Sequence, residues 1–235
     1  MKLIPTLVFI ITLLHSTAQA ADIASALKAP KNPPIKVAFV LSEGAVMIDF
    51  AGPWEVFTDV HLPGKDMDMQ ARMPFELYTV APTKAMIHTS GNRHPGMQVT
   101  PDYDFSDAPE PDVVVLGAQQ GGPGLTTWLK KIHADHKVIL SVCTGAFLLA
   151  ETGLLDGKQA TTHHGAEDEF AQQYPKIKVK HAVRYVQSDP TIFTAGGLSS
   201  GIDLALHVVE EYYGREVAQN TANVMEYRGT DWKKP

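Results

Sequence analysis

Short, mostly apolar runs recur along the chain: Ile35 to Leu41, Phe75 to Val80, Asp112 to Leu116, Val138 to Leu140 and Ile192 to Ala195. Runs of this length with little polar alternation suit strands buried on both faces of a sheet. Between them lie stretches with apolar residues at helical spacing. One is expected to start around Asp49 with Pro53 in its first turn, and another covers Leu125 to His133. A third runs from Ala146 through Leu148 and Leu149 to Leu154-Leu155. Glu167 to Tyr174, Ile202 to Tyr213 and Val217 to Met225 complete the helical set. Gln159 to Thr162 and Arg184 to Val186 read as further short strands, and Ala81 to Thr100 as a loop or small hairpin. Strands alternating with helices imply an α/β chain: one doubly wound, mostly parallel sheet flanked by helices. Residues 35–235 form that domain.

The strand at Val138 runs straight into Ser141-Val-Cys-Thr-Gly145, which fits small-x-nucleophile-x-Gly, the strand-to-helix turn called a nucleophile elbow. Such a turn lifts its central side chain above the sheet edge, where backbone N–H groups and a helix dipole favour a thiolate. Cys143 is the one cysteine of 235 residues. The bland alternative is an inert buried thiol. In parallel sheets the site lies beyond the C-terminal strand ends, where the elbow puts Cys143.

Composition bounds the rest. Residues 1–20 read as a secretory signal peptide: Lys2, an apolar run from Leu3 to Leu14, and Thr17-Ala-Gln-Ala20 ending in an Ala-x-Ala site. Residues 21–34, with Ala29-Pro-Lys-Asn-Pro-Pro34, read as a linker. The mature chain is then expected to be exported, most simply to a periplasm, with no stable membrane insertion. A single cysteine leaves no internal disulfide. The net charge is −6, and removing the signal with its one charged residue, Lys2, makes it −7. That balance argues against nucleic-acid binding. Gly121-Gly-Pro-Gly124 lacks the lysine and Ser/Thr of a phosphate loop. The scattered histidines, His88 and His94 among them, form no metal-ligand pattern, so no metal is expected.

Taken in order, Ile48-Asp-Phe-Ala-Gly-Pro-Trp-Glu-Val-Phe57, Val99-Thr-Pro-Asp-Tyr103, the elbow, Gly153-Leu-Leu-Asp-Gly157, Ala160-Thr-Thr-His163 and Thr194-Ala-Gly-Gly with Ser200-Gly-Ile-Asp203 resemble the ThiJ/PfpI superfamily. That resemblance implies a flavodoxin-like, class I glutamine amidotransferase-like fold. The nearest branch is that of the isonitrile hydratases, which the ending Val224-Met-Glu-Tyr-Arg228 also resembles.

What the resemblance implies is a reaction: isocyanide plus water to an N-substituted formamide, without a cofactor. Carried onto this chain, Cys143 is the nucleophile, Asp49 the acid/base carboxylate, Thr144 a supporting hydroxyl and His163 a histidine near the thiol. The backbone N–H groups of Thr144, Ala118 and Gln119 would form an oxyanion-type site, although many relatives carry Pro-Gly-Gly where this chain has Gly117-Ala-Gln119. The peptidase branch has a histidine directly after the cysteine, and Thr144 stands there instead. Asp49 also reads as a helix N-cap, Thr144 as a plain helix-start residue and His163 as structural. Competing functions are glyoxalase- or deglycase-like action on reactive carbonyls, and an exported non-catalytic ligand-binding or redox-responsive module. A related domain precedes DNA-binding helices in regulators, but no such pair is expected before Pro235. The resemblance also implies a homodimer with a small-molecule substrate.

Overall fold

A computed structural model describes residues 27–29, 34–64 and 68–233. The expected signal peptide lies outside these residues, as does most of the expected linker.

The central sheet has seven strands. In chain order they are β1 (Ile35–Val40), β2 (Phe75–Ala81), β5 (Tyr103–Asp104), β6 (Val113–Leu116), β7 (Val138–Val142), β10 (Tyr185–Gln187) and β11 (Ile192–Ala195). Their spatial order is β10-β11-β7-β6-β1-β2-β5. Every pairing is parallel except β10 with β11 at one edge. Two small sheets lie outside it: the hairpin β3 (Ile87–His88) with β4 (Gln98–Val99), and β8 (Gln159–Ala160) beside β9 (Lys178–Val179).

The central strands look uniformly apolar because both faces are covered. Val37, Phe39, Val113, Val115 and Leu140 turn to one side and pack with α1 (Met47–Thr58), α6 (Ser200–Tyr213) and α7 (Arg215–Val224). Ala38, Val40, Val114, Leu116 and Ile139 turn to the other. There they meet α3 (Leu125–Ala134), α4 (Gly145–Ala150) and α5 (Glu167–Gln173). The remaining helix, α2 (Met69–Arg72), is a single turn. Such covering from both sides is what a parallel sheet requires.

Several expectations change. Helix α1 begins at Met47, two residues before Asp49, so Pro53 sits in its second turn. Pro53 has no N–H to give the carbonyl of Asp49 four residues back. Helix α4 stops at Ala150 and does not reach Leu154-Leu155. Gly153 takes φ +77 in the turn that follows, and Leu155 is fully buried from that turn. Its apolar character reflects burial rather than helical continuation. Strands β5 and β9, two residues each, are too short to carry a periodic signal.

Candidate active site

The chain leaves β7 and reverses at Cys143, whose φ of +59 lies in the left-handed region. A side chain there costs roughly 1–2 kcal/mol, so the turn must be held from outside. Its N–H donates to the carbonyl of Gly196 at 2.9 Å, and more weakly to that of Ala195 at 3.2 Å. From the other side the hydroxyl of Thr162 donates to the Cys143 carbonyl at 2.9 Å. Gly145 completes the elbow because a Cβ there would sit 2.3 Å from the carbonyl oxygen of Leu116. The elbow expected from the sequence is therefore formed, at the C-terminal edge of the sheet.

Asp49 arrives from the first turn of α1 and is fully buried. It does not cap its own helix: the N-cap is Val46, with no side-chain bond. The carboxylate instead crosses to the loop after β6, where Oδ2 accepts the Ala118 N–H at 3.0 Å. The Val46 N–H returns the connection, donating to the Ala118 carbonyl at 2.9 Å. Gly117 makes this approach possible, since a Cβ on it would lie 2.8 Å from that of Asp49. Asp49 Oδ1 is buried and has no hydrogen-bond partner among the described residues. The group it shares the site with is the Cys143 thiol.

The electrostatics of the pair follow from burial. Desolvation lifts the Asp49 carboxyl from 3.8 to about 6, with the Ala118 N–H and the thiol pulling it partly back. Burial also pushes the Cys143 thiol above its ordinary value, and the charge of Asp49 adds to the rise. The N–H groups of Thr144 and Leu198 act against it. The elbow alone suggested a stabilised thiolate. A six-residue helix and two amides do not outweigh burial and, after it, a carboxylate neighbour. The thiol therefore holds its proton at neutral pH, and the Asp49 carboxyl, near 6, is mostly ionised.

The other expected residues divide. Thr144 is the N-cap of α4, yet its hydroxyl caps nothing, so it stays available to a bound molecule. The Ala118 N–H, expected to serve an oxyanion, is engaged by Asp49. Gln119 turns its side chain inward: its amide donates to the carbonyl of Val40 at 2.9 Å and its Oε1 accepts from Ser42 at 3.0 Å. That leaves its backbone N–H without a hydrogen bond among the described residues. His163 accepts the Gly165 N–H through Nδ1 at 3.1 Å and packs against Gly197, where a Cβ would meet its ring at 2.3 Å. Among the described residues it bonds neither Cys143 nor Asp49. Nor do three or more His, Cys, Asp or Glu side chains gather there in a group able to hold a metal ion.

The profile of the DJ-1/PfpI family matches residues 35–211. The chain belongs to the DJ-1/PfpI family. It is 30% identical over 204 residues to the isonitrile hydratase of Pseudomonas putida, covering 82% of this chain and 78% of that one. It is also 38% identical over 96 residues to the HTH-type transcriptional regulator CdhR of Pseudomonas aeruginosa. That match takes in 41% of this chain and only 28% of the regulator's length. A solved ThiJ/PfpI family protein from Pseudomonas syringae superposes with a TM-score of 0.67 at 24% identity, covering 93% of this chain and 85% of that one.

Two parts of this DJ-1/PfpI site escape sequence reasoning. Leu198 contributes through its N–H, so its side chain carries no signal. Thr162 stands in the Ala160-Thr-Thr-His163 stretch, and the carbonyl its hydroxyl holds lies 19 residues away, a contact that leaves no local pattern. Together the residues make a buried sulfur and carboxylate able to exchange one proton, with amides beside the sulfur. That arrangement suits addition of a thiol across an electron-deficient or carbene-like carbon.

Proposed function

We propose that this protein is a cysteine hydratase that converts a small isocyanide and water into an N-substituted formamide. The buried Asp49–Cys143 pair carries the reading. A carboxyl with a pKa near 6 is matched to giving and taking a proton close to neutral pH, and 30% identity to an isonitrile hydratase points to the substrate class.

In the resting pair the proton is on sulfur. Asp49 removes it as Sγ attacks the terminal carbon of the isocyanide, forming the S–C bond. The same carboxyl then delivers that proton to the carbon, leaving a thioimidate, R–N=CH–S–Cys143. Water adds to the C=N carbon with one of its protons passing to nitrogen, and collapse of the adduct breaks the C–S bond as the remaining hydroxyl proton passes, through Asp49, to the departing sulfur. The products are R–NH–CHO and the thiol, so atoms and charge balance with no added cofactor. Thr144 and the amides around the elbow orient the adduct. The likeness to regulator domains supports a second reading, a ligand-binding module without turnover. Residues 1–20 support export, and the working form is taken to be a homodimer.

Purified mature protein is incubated with an alkyl isocyanide and formamide is followed, alongside Cys143→Ala and Asp49→Ala. Turnover that both substitutions abolish supports the hydratase. Isocyanide binding without turnover favours the binding module, and turnover of methylglyoxal alone favours reactive-carbonyl chemistry.

A further inference from the structure

Gly196-Gly-Leu-Ser199, the connection between β11 and α6, meets the elbow at two points: the Gly196 carbonyl accepts the Cys143 N–H at 2.9 Å, and the Leu198 N–H acts on the thiol, opposing the rise of its pKa. Leu198 is itself left-handed, at φ +53, and its apolar side chain is 46% exposed. A non-glycine residue keeps that conformation only where its surroundings impose it. The restraint is visible. Asp203, in the first turn of α6 and 1% exposed, accepts from Arg184 Nε at 2.7 Å through Oδ2 and from the Tyr227 hydroxyl at 3.0 Å through Oδ1. With the guanidinium held this way, Arg184 Nη2 donates to Ser199 Oγ at 3.2 Å. The backbone of Arg184 grips the other end of the connection, accepting the Gly196 N–H at 2.9 Å, and the Gly196 carbonyl in turn accepts the N–H of Cys143. A buried carboxylate is costly unless fully paired, and this one is paired with the arginine that ties down the strip beside the nucleophile.

We infer that Arg184, fixed by Asp203, is a positioning residue for Cys143: through Ser199 it holds the Leu198 N–H against the sulfur and so sets how readily the thiol gives up its proton. This rests on Cys143 being the nucleophile of the proposed reaction, and it adds the device that tunes it.

The test is titration of the thiol in the full mature protein, by ultraviolet thiolate absorbance against pH with Cys143→Ala as the blank. Because the chain has one cysteine, the signal belongs to one site. It needs no isocyanide, so it stands or falls separately from the hydratase reading. Ser199→Ala, at an exposed position, and Arg184→Lys, which keeps the charge but loses the fork, are each expected to raise the thiol pKa by about half to one unit. That is roughly three- to tenfold less thiolate at a fixed pH. The double variant is expected to show no more than the larger single effect, because both break one connection. A thiol titration identical to wild type in Ser199→Ala overturns the inference. So do additive shifts, or a lowered melting temperature in Arg184→Lys with the titration unmoved. Should Arg184→Lys not fold, Ser199→Ala decides alone.

Discussion

Asp49 gives up stability to be useful. Its folded pKa, about 6, lies above the ordinary 3.8, so the fold disfavours the ionised form. Below pH 3.8 both folded and unfolded chains hold the proton and nothing is lost. Between 3.8 and about 6 the unfolded chain ionises first and stability falls; above that the full penalty persists. A rise of about two units corresponds to roughly 3 kcal/mol. Asp49→Asn removes the charge and keeps an oxygen for the Ala118 N–H. It should therefore increase the unfolding free energy at pH 7 by up to about 3 kcal/mol, with the gain vanishing near pH 4. Urea unfolding at the two pH values reads this, and an equal effect at both would show that the carboxyl is not displaced. His163 makes the opposite case. Its observed bonds are structural, so His163→Asn should keep kcat/KM within about tenfold. A loss of the 10²–10⁴ typical of a general base would make it one.

At the scale of elements, the strain of the elbow is measurable apart from its chemistry. Cys143→Ala keeps a Cβ at φ +59, whereas Cys143→Gly releases it. The glycine variant should be the more stable of the two by about 1 kcal/mol in thermal or chemical denaturation, with both inactive. Gly145→Ala should do more harm than either. The added carbon would meet the backbone oxygen of Leu116 at 2.3 Å, and backbone cannot move aside cheaply. Expression or melting temperature should drop sharply. The elbow was legible in the sequence because small residues at set spacing are a steric requirement, and steric requirements leave marks in residue identity. The start of α1 was less so. Val46 caps it with no side-chain bond, and Asp49, which looks like a cap, is drawn off to Ala118 by a contact between residues 69 positions apart. Local signals do not report long-range hydrogen bonds.

For the whole molecule, the parallel sheet was readable because strands buried on both faces must be apolar throughout, as Val113 to Leu116 are. Two-residue strands such as β5, which pairs with β2, and β9, which pairs with the equally short β8, are too short to show a pattern, and they were not readable. The pair of buried groups was legible only as residue types. That the thiol holds its proton more tightly than usual, and that the carboxyl's pKa is lifted to about 6, both emerge from how deeply the fold encloses the pair. That lifted carboxyl acting on a protonated thiol is the central claim, and the pH dependence of isocyanide hydration tests it most directly. With wild-type protein, kcat/KM for formamide formation should climb about tenfold per pH unit below 6 and level off above it, as Asp49 becomes free to accept the thiol proton. Asp49→Asn should fall by at least about a hundredfold and lose that limb, and Cys143→Ala should show no turnover. An Asp49→Asn profile that still bends near pH 6 at wild-type rate, or a wild-type protein that forms no formamide at any pH, would contradict the account.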